Sequence, residues 1–404
     1  MRNFLCETLS ISKQNGWNNS VNFIFSTNGP RDMGTSGGAV RELELMKRIG
    51  AHQNIVLWVI SSKTVCDRFQ RNGVRAHYQI IPDLLKHENF GSRLLDSFVR
   101  SISSSLLTIN ICSDNIVFHS PSDFLWDTYP AFIRKIRNKR MKWFASVYHV
   151  VPHPSKRPGG MHLSNLFSFV AQRESLLLMA KNADIIQTET NYVRDELVRQ
   201  FGFSPEKIFV CQSGINPKVI DAFSWNGDKI YDACFLARLH KSKGVFDIIN
   251  TWRRVCESKK DARLAIAGYG SSEIVNELKK RIKVLHLEKN VFYLGCLTEE
   301  RKYRLYRSSK LYVLPSYEEG IPITFYEAMY CGLTVVTYYL PTYSDIKNYV
   351  VGVPLGDIAA LGEAIMRILN DAELLRTFGE KGHDFAEGHT WEKVAETILS
   401  NVVK

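Results

Sequence analysis

Two glutamates, Glu319 and Glu327, are spaced so that they could bind different parts of one ligand. They lie in LPSYEEGIPITFYEAMYCG, residues 314–332, where an apolar strand pattern is followed by a loop. Pro322 suits the first turn of a helix, and Gly332 suits the position just after its end. Such a helix points its N–H groups out of the carboxyl edge of a parallel sheet, where anionic ligands bind. We predict both carboxylates at this edge; the alternative is a solvated loop acid and an ordinary helix residue.

Two cations, Arg238 and Lys243, lie upstream in FLARLHKSKGVFDIINTW, residues 235–252. They follow a strand pattern and precede a helix pattern. A diphosphate leaving group gains negative charge as its bond breaks, so fixed cations stabilise the transition state more than the ground state. The alternative is a solvated basic turn.

These two elements resemble the retaining glycosyltransferases of family 4 (glycosyltransferase group 1), which have the GT-B fold. The first element has the family's pattern P-S-x-x-E-G-x-P-x-x-x-x-E-A-M-x-x-G, and the second has R-L-x-x-x-K-G. The resemblance implies Arg238 and Lys243 on the donor diphosphate, Glu319 on the donor sugar, the backbone of Gly320, Ile321 and Pro322 close to that sugar, and Glu327 on the nucleotide ribose.

The paired glycines Gly37 and Gly38 open an amphipathic helix pattern in GTSGGAVRELELMKRIG. Glycine permits a close backbone approach, and a helix start offers N–H donors. We therefore expect this element to close over the diphosphate or the acceptor. A plain glycine-rich turn is the alternative.

Two histidines follow strand-like runs: His119 in NIVFHSPSDF and His149 in FASVYHVVPHP. Both are expected at strand ends that face a cleft, although a histidine at a strand end also serves as a structural residue. The resemblance implies that His149 lies beside the transferred sugar, and His119 fits an earlier position on the acceptor side.

One segment departs from the family pattern. After the strand pattern LTVVTYY the family has a short Gly-Gly-x-x-Glu run, whereas this chain has LPTYSDI, residues 340–346. Either Asp345 replaces the usual acid, or the loop has another role.

The pattern of short β-branched runs alternating with amphipathic segments predicts an α/β protein. Its 404 residues exceed one ordinary core, so we predict two Rossmann-like doubly wound domains that face a central cleft. The turn-rich SGINPKV places the boundary, which gives an acceptor-binding domain over 1–213 and a nucleotide-sugar-binding domain over 214–385. Residues 386–404 are predicted to form a terminal helix that packs back on the N-terminal domain.

The formal net charge of +11 is uneven, because residues 1–200 hold 25 Lys and Arg against 16 Asp and Glu, while residues 201–404 hold 27 against 25. The segment RKIRNKRMK, residues 134–142, and the apolar-rich segment 162–181 suggest contact with an anionic membrane, with a solvated basic helix as the alternative. No run suits a membrane span or signal peptide, and the eight cysteines are scattered, so we expect a cytoplasmic protein with reduced thiols, peripheral on the inner face of the membrane if that contact forms.

The sequence thus predicts transfer of a hexose-type unit, with retention, from a UDP or GDP sugar to a glycan, lipid-linked or small-molecule acceptor. No tightly bound cofactor and no nucleic acid partner are expected. No metal is required, since Arg238 and Lys243 can neutralise the diphosphate. The alternatives are an epimerase or phosphorylase of the same fold, or a non-catalytic basic binding protein with a decayed donor site.

Overall fold

The computed structural model describes residues 20–29, 36–82, 90–109, 111 and 113–403. These residues divide into two compact units. Unit 1 holds the described residues up to Ser146, together with Glu174–Gln187 and the residues from Ile398 onward. Unit 2 holds Val147–Arg173 and Thr188–Thr397.

The first sheet has the strand order β3-β2-β1-β4-β5-β6-β7, and the pairs from β3 through β5 are parallel. Its strands are β1 (Val21–Ser26), β2 (Ile55–Ser62), β3 (His77–Ile81), β4 (Ile116–Ser120), β5 (Lys142–Val147), β6 (Ile185–Thr188) and β7 (Ile208–Val210). The helices along this part of the chain are α1 (Gly37–Ile49), α2 (Lys63–Arg71), α3 (Phe90–Leu106), α4 (Leu125–Arg137), α5 (Leu163–Asn182) and α6 (Asn191–Phe201).

The second sheet has the order β10-β9-β8-β11-β12-β13, and each neighbouring pair is parallel. Its strands are β8 (Tyr231–Leu236), β9 (Leu264–Ala267), β10 (Val291–Gly295), β11 (Ser309–Leu314), β12 (Thr334–Tyr338) and β13 (Val350–Val353). The remaining helices are α7 (Pro217–Asp221), α8 (Val245–Ser258), α9 (Ser272–Val284), α10 (Glu299–Arg307), α11 (Ile323–Tyr330), α12 (Ile358–Asn370), α13 (Ala372–Glu387) and α14 (Trp391–Val402).

The predicted fold class is confirmed: both sheets belong to Rossmann-like α/β domains. The strands read as continuous apolar runs because helices cover both faces of a parallel sheet. All six residues of β1 are buried, and so are all five of β12. No helix among the described residues is both long enough and apolar enough to cross a bilayer.

Several residues of the basic segment 134–142 form hydrogen bonds with other parts of unit 1. Arg134 donates to the carbonyls of Ser104 and Leu107, both at 2.7 Å, and Arg137 donates to the carbonyl of Ser105 at 3.2 Å. These carbonyls lie at the C-terminal end of α3, where the last carbonyl groups of a helix have no N–H partner within the helix. Cations are also favoured there by the helix dipole. Both arginines therefore stabilise the end of a helix.

The neighbouring lysine of that segment is also engaged within unit 1. Lys135 donates to the carbonyl of Met141 at 2.7 Å and forms an ion pair with Asp184. Arg134, Lys135 and Arg137 therefore have structural partners within unit 1. The suggested contact of segment 134–142 with an anionic membrane stays a prediction.

Candidate functional site

The order of the second sheet reverses between β8 and β11, which are neighbours in space with crossovers running in opposite directions. Ligands bind outside the carboxyl ends of strands at such a switch point. The loop after β8 carries Arg238 and Lys243, and the loop after β11 carries Glu319. The topology therefore brings the two sequence elements to one place.

Backbone contacts hold these two loops together. The Tyr317 N–H donates to the Ser242 carbonyl at 2.8 Å. Gly244 has a left-handed φ of +69°, and a Cβ there would lie 2.1 Å from the carbonyl oxygen of Pro315. Only glycine allows both this conformation and this approach. The sequence K-G thus fixes Lys243 beside the loop that carries the glutamates.

Lys243 and Glu319 form an ion pair between the two loops. Their side chains are 20% and 13% exposed, so the pair is largely shielded from water. Ser316 donates to the same carboxylate oxygen at 3.0 Å, and the Thr342 hydroxyl donates to the Glu319 carbonyl at 2.9 Å. The carboxylate that the resemblance assigns to the donor sugar is therefore held in place before any ligand arrives.

Arg238 is exposed and makes no hydrogen bond or ion pair with the rest of the described chain. It lies in a region of concentrated positive charge. Partial burial and the charges of Arg238, Lys243, Lys241 and Arg157 lower the pKa of His240. Such a concentration of cations favours an anionic ligand.

Glu318, which directly precedes Glu319, is bound by two residues from the segment after β5. The Arg157 guanidinium grips its carboxylate with Nε at 2.7 Å and Nη2 at 3.2 Å, and His149 Nε2 lies 3.1 Å from Oε1. Burial alone raises the pKa of Glu318, but the interactions with His149 and Arg157 outweigh it, so the pKa lies below its usual value. Glu318 is a fixed anion that orients His149.

The structure separates the two histidines predicted at strand ends. His149 follows β5 and is 30% exposed beside the glutamate loop. His119 lies inside β4, is 2% exposed, and stacks on Phe144 at 4.3 Å between ring centroids. Burial, together with the charge of Arg41, lowers the pKa of His119 to about 3. The expectation that His119 faces a cleft is wrong, because its neighbours enclose it in the core.

Gly320 packs closely against two neighbouring residues, which a side chain at this position would crowd. A Cβ there would lie 2.8 Å from Oε2 of Glu189 and 3.0 Å from the carbonyl of Tyr148. The Ile321 N–H points at the same Oε2 at 3.4 Å, and Pro322 is the N-cap of α11. These three residues therefore form the tight turn that leads into the helix. Their predicted contact with a donor sugar stays a prediction.

Glu327 lies in α11 and is 7% exposed. Its Oε1 accepts from Lys302 Nζ at 2.7 Å and from the Tyr303 hydroxyl at 3.1 Å, both on α10. These partners fix the position of the carboxylate. The assignment of Glu327 to a ribose stays a prediction.

The departing loop at residues 340–346 forms a 3-10 helix whose main roles are structural. Asp345 accepts from the backbone N–H and the side-chain amide of Asn191, at 2.8 and 3.2 Å, at the start of α6. A carboxylate at a helix N-terminus satisfies N–H groups that lack intrahelical partners. Together with the Thr342 contact to Glu319, this favours the second alternative, a loop with a changed role.

Gly37 and Gly38 form the first turn of α1, whose N-cap Ser36 accepts from the Ala39 N–H at 3.2 Å. A Cβ on Gly38 would meet nothing closer than the Ser36 hydroxyl at 3.9 Å. Packing therefore does not require glycine at position 38. The role of this pair toward a diphosphate or acceptor stays a prediction.

No group of three or more His, Cys, Asp or Glu side chains suited to a metal ion occurs among the residues that the structure describes. The six cysteines in this part of the chain form no disulfide, and Cys66, Cys211 and Cys234 are buried.

Sequence reasoning missed Arg157, Glu189 and Lys302. Arg157 lies in an irregular loop and Lys302 on a charged helix, where basic residues are ordinary. Glu189, 4% exposed, follows a strand and accepts from the Ser213 hydroxyl at 2.6 Å. The one local signal was an acidic residue directly after the apolar run DIIQT, since a carboxylate next to a buried strand needs a partner.

Comparison with known proteins agrees with this geometry. Residues 221–385 match the model of the family described as Glycosyl transferases group 1. Mannosylfructose-phosphate synthase of Agrobacterium fabrum is 27% identical over 258 residues, which cover 58% of this chain and 56% of that protein. The match thus spans about half of the curated relative.

Two solved structures are similar over nearly their whole length. The complex of Anabaena HepE with UDP and glucose has a TM-score of 0.70 at 13% identity, covering 95% of this chain and 99% of that one. Sucrose-phosphate synthase from Thermosynechococcus elongatus has a TM-score of 0.73 at 15% identity, covering 94% and 98%. The fold is therefore GT-B.

Proposed function

We propose that this chain is a glycosyltransferase that moves a hexose-type unit from a nucleotide diphosphate sugar to an acceptor hydroxyl, with retention at the anomeric carbon. The main observation in support of this proposal is the contact between Lys243 and Glu319, where the two sequence elements meet at the switch point of the second sheet. A cation for the diphosphate and a carboxylate for sugar hydroxyls lie side by side there. The family match over residues 221–385 supports the same assignment.

The donor is proposed to be a UDP or GDP sugar. HepE is described with UDP and glucose bound, which supports testing UDP first. Arg238 and Lys243 neutralise the leaving diphosphate, so Mg²⁺ is not required for this role. Glu319, supported by the backbone from Gly320 to Pro322, binds the donor sugar.

The acceptor class is proposed to be a glycan, a lipid-linked sugar or a small molecule, and no nucleic acid partner is expected. The name of the Agrobacterium relative describes a sugar phosphate product, which supports including small phosphorylated sugars among the acceptors tested. Peripheral contact with an anionic membrane would use exposed basic residues of segment 134–142 such as Lys139 and Arg140.

Binding comes first in the test. The purified chain is screened for thermal stabilisation by UDP, GDP and ADP, since a ligand that binds the folded state raises its stability by mass action. The preferred nucleotide then selects the sugar donors, each incubated with and without an acceptor library.

The expected result is release of nucleoside diphosphate only when an acceptor is present, and it should persist in EDTA. Interconversion of donor sugars without release would indicate an epimerase, and a need for inorganic phosphate a phosphorylase. Nucleotide binding without turnover of any donor would support a binding protein.

A further inference from the structure

One guanidinium beside the candidate site is not explained by the proposed roles. Arg157 directs Nε and Nη2 to Glu318, whereas its Nη1 is buried and has no hydrogen-bond partner among the described residues. A buried donor without an acceptor costs free energy, so each such atom calls for an explanation. One explanation is a ligand that supplies the missing acceptor.

The position of Arg157 suits an anionic ligand. Consecutive residues of one loop each hold one cation, because Glu318 binds Arg157 and Glu319 binds Lys243. The two cations are therefore presented from neighbouring positions of a single backbone segment. The positive charge of Arg157 also acts on His240, which lies between Arg238 and Lys243 on the loop after β8.

The shape of the Arg157 guanidinium determines in which directions it can donate hydrogen bonds. It is planar, with donors along more than one edge, so it can hold a carboxylate on one side and an oxyanion on another. Glu318 occupies the edge formed by Nε and Nη2, and this fixes the plane of the group. Nη1 does not belong to that edge, and its N–H groups have no acceptor among the described residues.

We propose that Arg157 binds the diphosphate of the donor through Nη1, as a third cation beside Arg238 and Lys243. This assignment rests on the proposed function, since it names a further residue of the same donor site. Glu318 serves as the positioning residue for Arg157. Segment 147–173 of unit 2 thus contributes to the donor site through a side chain.

The test compares affinities measured by calorimetry for UDP, UMP and uridine, with GDP and ADP series if UDP does not bind. Arg157→Gln removes the charge and keeps much of the length. We expect it to weaken UDP about tenfold and leave uridine unchanged, because charge-assisted hydrogen bonds to phosphate are the strong ones. Lys156→Gln, on the exposed neighbour, is the matched control and should bind UDP like the wild type.

A second variant background distinguishes a direct contact of Arg157 with the diphosphate from an indirect effect through Glu318. Removing Arg157 also leaves the Glu318 carboxylate without its guanidinium partner, so that its negative charge could repel a diphosphate even if no direct contact is lost. Arg157→Gln is therefore repeated in a Glu318→Gln background, where that repulsion is absent. We expect about the same tenfold loss of UDP affinity in both backgrounds. A loss that disappears in the Glu318→Gln background would overturn the proposal.

The remaining outcomes also discriminate. A wild type that binds UDP and an Arg157→Gln variant that binds it equally well would overturn the role of Arg157 and leave the proposed function standing. A wild type that binds none of the three nucleoside diphosphates would overturn both. Thermal melting of each variant shows that the folded protein is being compared.

Discussion

Two regions rich in cations show opposite uses of the same residue types. In unit 1, Arg134 and Arg137 donate to backbone carbonyls at the end of α3, and Lys135 donates to a carbonyl in the turn between α4 and β5. In unit 2, Lys243 and Arg157 pair with carboxylates, and exposed Arg238 has no partner among the described residues.

The difference lies in what surrounds each cation. Carbonyls at a helix end are permanent parts of the fold, and a cation that satisfies them has little left to offer a ligand. Lys243 and Arg157 pair with side-chain carboxylates, and each keeps further N–H donors that can bind a ligand oxygen. A segment rich in Lys and Arg therefore indicates a ligand-binding site only when the folded protein leaves donors of these side chains available to a ligand.

The most direct test of this difference is to remove one cation from each region. Lys243→Ala should lower kcat/KM about a thousandfold, because it removes a positive charge from the leaving diphosphate. Arg134→Ala should leave kcat/KM unchanged and lower the free energy of unfolding by about 1–3 kcal/mol, because two carbonyls at the end of α3 lose their donor. The checks are acceptor-dependent release of nucleoside diphosphate and denaturant unfolding. Equal activity losses in the two variants would contradict the distinction.

The two histidines extend the comparison to a smaller effect. His149→Ala should reduce transfer about a hundredfold and leave nucleotide affinity nearly unchanged, because His149 is predicted beside the reacting sugar. His119→Ala should cost about 2–4 kcal/mol of stability through the cavity it leaves. A wild-type rate in the His149 variant, measured below the melting temperature of both, would make His149 a structural residue as well.

The two carboxylates of the donor element provide the next test. Glu327→Ala should weaken the preferred nucleoside diphosphate about tenfold, because one side chain that is predicted to bind the ribose is lost. Glu319→Ala should bind that nucleotide almost normally while its turnover falls. Calorimetry with the nucleotide alone measures the first effect. Undiminished affinity in the Glu327 variant removes the ribose assignment.

The smallest expected effect concerns the basic segment of unit 1. Lys139, Arg140 and Lys142 are the remaining basic residues of this segment, and exposed Arg140 pairs with Asp114 at 3.0 Å. At about 1 kcal/mol per basic residue, three of them give weak binding to phosphatidylglycerol vesicles that salt releases. Charge reversal at these three positions should abolish it. Co-sedimentation that is equal for anionic and neutral vesicles, or absent for both, would sink the membrane hypothesis.

Local sequence signals predicted the fold and brought out part of the candidate site. Alternating strand and helix patterns predicted two Rossmann-like sheets because each pattern reflects the burial of its own segment. Pro322 and Gly332 marked the ends of α11 to within a residue, since proline and glycine act through the local backbone. The motifs that resemble the glycosyltransferase family also singled out Lys243 and Glu319, which meet because their two strands are neighbours in the sheet.

The tertiary structure decided what depends on distant partners. Glu318 and Arg157 are 161 positions apart, and no pattern in either segment names the other. The enclosure of His119 depends on strands from separate parts of the chain, and the use of Arg134 and Arg137 depends on where α3 ends. A sequence records the types of its residues and their spacing along one dimension. The partner that each charge meets is fixed only when the sheets bring separate segments together, and that partner determines whether a cation supports the fold or binds a ligand.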